Sequence, residues 1–207
     1  METFSPEFPE TASAELIAVI NVCQPVKKFL SFSLLKLIKR ALQELDLDLL
    51  TALVQDLQID FRQGPFKSLA IQLVVQQGMR EKQRLEEDSE HVDFSGPSAQ
   101  QYVQFLDLLL SDARYGEMFL KHSDQHAYGN SILHVCVELH NLDFTRLVLA
   151  KNTEYGANLL NHRNSEGLTP RESLTKEIER ASSGLNPAKK ARQLQILGQL
   201  RELIPEN

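Results

Sequence analysis

The 207-residue sequence contains no tryptophan and only two cysteines, Cys23 and Cys136, which lie far apart. Small disulfide-stabilised domains need several closely spaced cysteines, so that class is excluded. With 42% hydrophobic residues, the chain can bury a sizeable core in one or two domains. We therefore expect Cys136 to be a buried free thiol, which suits a reducing compartment.

Long apolar runs are also absent. The uncharged stretch Leu16 to Val26 contains Asn21, Gln24 and Pro25, and it is too short and polar to span a bilayer. The first residues lack the basic-then-apolar order of a secretory signal. We therefore expect a soluble intracellular protein, cytoplasmic or nuclear, with no transmembrane segment.

The formal net charge of −6 argues against general nucleic-acid binding, which needs a concentrated basic surface. One segment has the opposite charge, because no acidic residue occurs from Leu16 to Gln43. A helix is predicted over 26–45, with leucines on one side and a basic face on the other, formed by Lys27, Lys28, Lys36, Lys39 and Arg40.

Two interpretations of this helix are open: it packs in a core, or it lies on an anionic membrane or in a partner's groove. Each buried large apolar side chain contributes about 1.5–3 kcal/mol. Attraction to an anionic surface contributes only about 1 kcal/mol per basic residue and is screened by salt. Core packing is therefore favoured, with the basic face available to an acidic partner.

Period-two alternation is nearly absent, whereas apolar residues recur at helical spacing along most of the chain. These patterns predict an all-α fold. We expect a flexible start over 1–10, a helical domain over 11–86 and an acidic linker over 87–97, where Ser89, Ser95 and Gly96 occur. A second helical region is expected over 98–207.

Within that second region one pattern occurs once in full and begins a second time. Gly129-Asn-Ser-Ile-Leu-His134 is matched by Gly167-Leu-Thr-Pro-Arg-Glu172, with Gly156-Ala-Asn-Leu-Leu-Asn161 between them. Each outer glycine permits a positive φ before a helix, and Ser131 or Thr169 can act as N-cap. Pro170 suits the first helical position. Helices are predicted from Ser131, from 142 to 150 and from Thr169 to Ala181.

This pattern resembles the ankyrin-repeat family over residues 125–181. The two outer glycines are separated by more than the roughly 33-residue ankyrin period, and the excess fits an insertion around Asn152 to Tyr155. Ile132 stands where the family favours proline, and Arg171-Glu172 where it favours Leu-His. The second difference often marks a terminal repeat, so we interpret 164–181 as a closing unit.

Two repeats alone leave apolar faces uncovered, so neighbouring helices must cover them. We expect helices over 98–110 and 115–121 to cover one side. On the other side, Asn186 and Pro187 open a helix that continues to Ile204 and is stopped by Pro205. The resemblance thus implies an N-terminal helical domain followed by a short ankyrin-like helical solenoid with helical caps.

In proteins that this chain resembles, partners bind the tips between repeats and the exposed side of each first helix, and the histidine at position 134 helps to hold the loop between repeats. The resemblance therefore implies a non-catalytic interaction protein, an adaptor, scaffold or inhibitor, whose partner is another protein. The implied contact residues are Gln125, His126, Tyr128, Val135, Glu138, His162, Arg163, Ser165 and Glu166.

Two alternatives remain open. A short array beside an unfamiliar N-terminal half is typical of a bacterial or viral effector that acts on a host protein. An enzyme, or an enzyme regulator, with its site in the N-terminal helices predicts a deep polar pocket among residues 12–85.

The sequence contains no glycine-rich phosphate loop, no Gly-x-Ser-x-Gly elbow and no Cys-x-x-Cys pair, so we expect no catalytic residues and no cofactor. Histidine and acidic residues cluster twice, at 122–126 and at 134–140. His134 and Glu138 share a helix face, but His140 does not, and the first cluster has no fourth ligand. We therefore expect no metal site.

Overall fold

The computed structural model describes residues 67–86, 99–124, 128–183 and 187–205, together with positions 40, 41, 46 and 49. The chain divides into two compact units, Met1–Ile59 and Asp60–Asn207. In the first unit, Arg40 and Ala41 are helical; Arg40 is exposed and Ala41 is buried, as expected for different faces of one helix. Oδ1 of Asp46 accepts a hydrogen bond from the backbone N–H of Leu49 at 2.9 Å, as an N-cap does. The rest of the predicted basic face lies outside the described residues.

The described part of the second unit is all-α, as predicted. Its seven helices are α1 (Leu69–Glu86), α2 (Ala99–Ser111), α3 (Gly116–Lys121), α4 (Ile132–Glu138), α5 (Leu142–Tyr155), α6 (Pro170–Ser182) and α7 (Pro187–Leu203). A 3-10 turn spans Leu159–Asn161. Two-residue strands, β1 (Ser123–Asp124) and β2 (Asn130–Ser131), pair antiparallel, with Ser123 opposite Ser131.

Local capping explains where the helices begin and end. Asn141 caps α5 by accepting the backbone N–H of Phe144 at 2.9 Å. Thr169 caps α6, where Pro170 occupies the first turn. Gly156 adopts φ +59° and ends α5 in the left-handed region, which glycine enters without steric cost. The predicted cap at Asn186 lies outside the described residues.

The expected insertion around Asn152 to Tyr155 forms the last turn of α5, so this helix is longer than the predicted 142–150. Asn152 anchors the loop that follows α5, because its backbone carbonyl accepts the N–H of Ala157 at 3.1 Å. Oδ1 of Asn152 also accepts the N–H of Leu159 at 2.8 Å. The extra residues therefore lengthen a packed helix and leave the loop after it anchored.

The helices pack in two rows. One row runs α1, α4, α6 and the other α2, α5, α7, and the rows are joined by contacts of α1 with α2, α4 with α5 and α6 with α7. Helix α3 contacts α1, α2 and α5. The largest fully buried side chains include Tyr102, Phe105, Phe119 and Phe144. The core thus lies between the rows.

Helix α1 is held closely against the turn between α4 and α5. A Cβ atom added at Gly78 would lie 2.8 Å from Cβ of Leu139, so the glycine permits the approach. Oε1 of Gln77 accepts a hydrogen bond from Nδ2 of Asn141 at 2.5 Å. These contacts place α1 in the unit that contains α4, which differs from the expected assignment of 11–86 to a separate N-terminal domain. The predicted linker over 87–97 lies outside the described residues.

The cover of α4 and α5 also differs in detail from the expectation. Helices α2 and α3 were expected to form this cover together; both contact α5, and α1 in addition packs on α4. Among the described residues, no helix combines the length and apolarity needed to cross a membrane.

Candidate functional site

Two turns, 128–131 and 162–168, lie side by side and are joined by hydrogen bonds. The backbone N–H of Ser165 donates to the carbonyl of Tyr128 at 2.8 Å. Nδ2 of Asn164 donates to Oδ1 of Asn130 at 2.9 Å. A ring nitrogen of His162 bonds the carbonyl of Gly129 at 3.0 Å. We call the exposed residues on and beside these turns the tip surface: Tyr128, Glu138, Arg163, Ser165, Glu166 and Lys176.

The second turn takes its shape from Asn164. Its Oδ1 accepts backbone N–H groups of Glu166 and Leu168, each at 3.0 Å. Gly167, at φ +76°, donates its N–H to the carbonyl of Asn164 at 2.9 Å. An asparagine that bonds its own turn and also the neighbouring turn holds both in one arrangement. The tip surface is therefore fixed by bonds beneath it.

His134 provides a further connection from below. Its Nε2 lies 2.9 Å from the carbonyl oxygen of Leu168, so the loop-holding contact expected of this residue is present. Its Nδ1 is 3.3 Å from the backbone nitrogen of Ser131, which can only donate. Nδ1 must therefore accept, and the ring is neutral with its proton on Nε2. Burial lowers the pKa of His134 and favours this neutral form.

Glu138 lies at the end of α4, beside the turns. Its Oε1 accepts a hydrogen bond from Nδ2 of Asn130 at 2.7 Å. Partial burial of the carboxyl raises its pKa, and nearby Glu177 and Glu166 add to this, against the opposing effect of Asn130. The residue as a whole is exposed. Glu138 thus extends the bonded chain of Asn164 and Asn130 onto the tip surface.

Ion pairs occupy the rim of the surface. Lys176 lies 3.0 Å from Glu166, with both side chains more than half exposed, and Arg163 lies 3.0 Å from Glu172. Exposed pairs of this kind contribute only about 0–1 kcal/mol each to stability. Their charges are therefore available to a partner at little cost to the fold.

Tyr128 is the most exposed large apolar side chain among the described residues, with 72% of its surface accessible. Its φ of +57° lies in the left-handed region, which bulky residues rarely adopt. Such a conformation costs on the order of 1–3 kcal/mol when nothing compensates it. Since little of the ring is packed, the contacts of the folded chain do not explain a tyrosine here.

One predicted contact residue is placed wrongly by the sequence interpretation. Val135 was expected on the exposed side of the first helix, but it is only 4% exposed. Helix α4 is contacted by α1, α5 and α6, and six of its seven residues are buried. Val135 is buried because α1 packs against α4, and the repeat pattern did not predict the position of α1. Gln125 and His126 lie outside the described residues.

The other predicted contact residues are brought together. Tyr128, Arg163, Ser165 and Glu166 are exposed on the two turns, and Glu138 lies beside them. His162 is half-buried, because its ring bonds Gly129 and lies edge-on to His134 with the ring centroids 5.7 Å apart. His162 thus supports the surface from within.

Sequence reasoning missed four residues that build or border this site. Asn130 and Asn164 join the two turns, and Lys176 pairs with Glu166. His140, in the turn between α4 and α5, lies 3.7 Å from Glu177 of α6. Interaction with the His140 ring, aided by Arg180, lowers the pKa of Glu177. One available signal was the separation of the two asparagines, which is close to the ankyrin period.

Within the described ranges, no group of three or more histidine, cysteine or acidic residues is arranged to hold a metal ion. Cys136 is a buried free cysteine, and burial raises the pKa of its thiol far above the usual range. No protein-family model, curated protein or solved structure matches the chain. The function must therefore be argued from the arrangement of the site itself.

Proposed function

We propose that residues 99–203 act as a short ankyrin-type stack that binds another protein through the tip surface, without catalysing a reaction. The observation that carries this proposal is the exposed, left-handed Tyr128 on a turn that three hydrogen bonds hold to the neighbouring turn. Tyrosine is enriched at the centres of protein interfaces, and a rigid site loses little entropy on binding.

The surroundings of Tyr128 support the same role. The backbone carbonyl of Tyr128 is bonded to Ser165 on the turn that also carries Arg163 and Glu166, whose ion pairs are exposed. An exposed aromatic residue next to a turn with charged side chains is typical of an interface with an aromatic centre and a polar edge. The strain at position 128 suggests that the residue is retained for something outside the fold. Binding would mask or recruit the partner, as an adaptor, scaffold or inhibitor does.

The decisive experiment is affinity capture from native lysate with the full chain and three variants, Tyr128→Asn, Glu166→Lys and Arg146→Ala. Tyr128→Asn removes the ring but keeps a residue that tolerates the left-handed region, so we expect its melting temperature to be unchanged or higher. We expect a specific partner to be lost with this variant. Arg146→Ala, on the exposed side of α5, is the matched control and should retain the partner.

The opposite pattern would refute the assignment. If Tyr128→Asn and Glu166→Lys both retained every captured protein while Arg146→Ala lost one, binding would belong to the α5 side. If no protein depended on any of the three positions, the tip surface would have no binding role.

A further inference from the structure

His134 and His162 bond the two tip turns in reciprocal directions. His134, in the first turn of α4 behind the first tip turn, places its Nε2 2.9 Å from the carbonyl oxygen of Leu168 on the second. His162, on the second turn, places its Nε2 3.0 Å from the carbonyl oxygen of Gly129 on the first. The two ring centroids lie 5.7 Å apart, with the ring planes at 76°. Each histidine thus holds the turn opposite its own, and we call these two residues the histidine pair.

The bonds of His134 require a neutral ring. A carbonyl oxygen only accepts, so Nε2 donates to Leu168, and Nδ1 accepts the backbone N–H of Ser131 at 3.3 Å. A second proton would have to sit on Nδ1, and it would leave the buried N–H of Ser131 without its acceptor. A buried donor that loses its partner costs about 1–3 kcal/mol. The ring of His134 is itself 0% exposed, so a charge there would also lose its hydration.

Charged groups of the neighbouring elements do not compensate a positive ring. Helix α1 contains no charged residue over 69–79, and no described acidic side chain pairs with His134 or His162, including Asp124 of β1 and Glu138 of α4. The charged residues of the second turn, α5 and α6 pair among themselves: Arg163 with Glu172, Glu166 with Lys176, Glu177 with Arg180 and His140, Asp143 with Arg146, and Lys151 with Glu154. Burial lowers the pKa of His134, the bond to Leu168 opposes this, and charge on His162 adds to the lowering.

We propose that the histidine pair is an acid-sensitive connection, in which proton uptake by His134 separates the two tip turns and releases a partner bound through Tyr128. This inference rests on the proposed function and adds its regulation. When the turns separate, the ring of His134 reaches water, where a histidine takes up a proton at about pH 6.5. Proton uptake therefore favours the separated turns below this pH, and the joined turns are fully favoured above it.

The test compares two backbone N–H groups of the second turn in the full chain. The N–H of Ser165 donates across to Tyr128, whereas that of Gly167 donates to Asn164 within the turn. NMR measures their exchange with water at about pH 7.5 and about pH 5.5, and protection is the intrinsic rate at each pH divided by the observed rate. We expect the protection of Ser165 to fall about three- to tenfold, because one histidine titrating near pH 6.5 supplies at most about tenfold over this window. Gly167 should keep its protection.

Two variants identify the group that titrates. The double variant His134→Gln and His162→Gln keeps side chains that can donate to the same carbonyls but take up no proton, so the protection of Ser165 should not depend on pH. His140→Asn is the matched control, because it removes a half-buried histidine outside the pair and asparagine tolerates the φ of +54° at this position. It should show the same fall as the parent chain.

The comparison of Ser165 with Gly167 needs only the parent chain, so it decides the inference even if the double variant fails to fold. Unchanged protection of Ser165 on acidification, or equal losses at Ser165 and Gly167, would overturn the inference. A fall that persists in the double variant, or that disappears in His140→Asn, would assign the acid effect to another group.

The partner provides a separate measurement. A protein that is captured through Tyr128 at about pH 7.5 should elute from the parent chain at about pH 5.5 and stay on the double variant, since only the parent histidines titrate in this window. Retention by the parent chain at the lower pH would refute the release. If no captured protein depends on Tyr128, the proposed function fails, and the exchange of Ser165 still decides whether the histidine pair separates the turns.

Discussion

Helices α4 and α6 follow the two tip turns and begin in the same way. Ser131 caps α4 and Thr169 caps α6, each with an extended backbone and with a third helical residue that returns to the cap. In α4 that residue is His134, and in α6 it is Glu172. Equal local chemistry therefore starts two helices that end up in different surroundings.

The difference lies in what the third helical residue does with its remaining polar atoms. Nε2 of His134 reaches the carbonyl of Leu168 on the next turn, whereas Glu172 binds Arg163 of its own unit. Histidine can bond on two sides of its ring, and a carboxylate only accepts. The third residue of α4 thus connects to the following turn, while that of α6 is satisfied by its own cap and by the turn before it.

Equivalent residues of α4 and α6 also differ in how deeply they are buried. Val137 and Thr175 occupy the same position after their N-caps, but Val137 is fully buried and Thr175 is exposed. Helix α4 is enclosed by α1, α5 and α6, whereas α6 packs mainly on α4 and α7. The number of neighbouring helices, more than helix propensity, decides which faces become core.

The largest expected effect comes from substituting aspartate at these matched positions. Val137→Asp buries a charge without a partner, and we expect it to lower the free energy of unfolding by about 3–5 kcal/mol. Thr175→Asp should change stability by no more than about 0.5 kcal/mol, as exposed substitutions do. Urea denaturation followed by circular dichroism measures both. Similar losses at the two positions would contradict the difference in enclosure.

The next prediction concerns the packing of α1 against the turn between α4 and α5. Helix propensity alone predicts that alanine in place of a helical glycine stabilises by up to about 1 kcal/mol. At Gly78 the added Cβ would lie 2.8 Å from Cβ of Leu139, so we expect Gly78→Ala to destabilise by about 1–3 kcal/mol. Gly198→Ala in α7 is the control, because its added Cβ meets nothing within 4 Å and should stabilise.

If Gly78→Ala lowered and Gly198→Ala raised the free energy of unfolding, this would establish that α1 packs closely against α4 and α5 in solution. If Gly78→Ala stabilised as much as Gly198→Ala, α1 would not approach the α4–α5 turn, and the enclosure of α4 would lose one of its sides.

What could be predicted from sequence was mostly local. Thr169, Pro170 and Glu172 predicted the start of α6, because capping depends on residues within one turn of the helix. The burial of Val135 was missed, because it depends on α1, which lies more than forty positions earlier in the chain. Local patterns predict where a helix begins, whereas its exposed side depends on distant helices.

The candidate site shows the same limit. Exposure of Arg163, Ser165 and Glu166 followed from their place in a predicted turn. The bond between Asn130 and Asn164 did not, because it requires the two turns to lie side by side. Arg163, Arg171 and Arg201 line one cleft between the start of α6 and the end of α7, although no single stretch of sequence contains all three.

The smallest expected effect is on the pH dependence of stability, which should differ between variants of His134 and of Glu172. Burial lowers the pKa of His134 in the fold, below the value of about 6.5 expected for the unfolded chain. Above this pH both states are neutral and stability is fully present. As the pH falls below it, the unfolded chain takes up a proton first, so stability falls by no more than about 1.4 kcal/mol per pH unit.

The measurement compares unfolding free energies at about pH 7.5 and about pH 5.5, on either side of the histidine value. His134→Gln can still accept from Ser131 but does not titrate, so it should lose less stability than the parent chain on acidification. Glu138, whose pKa is raised, opposes the loss equally in both proteins. Glu172→Gln should follow the parent profile, because the pKa of Glu172 is lowered and lies well below this window. Parallel profiles for the His134 variant and the parent would mean that His134 is not held neutral by burial, and the connection to Leu168 would then not distinguish α4 from α6.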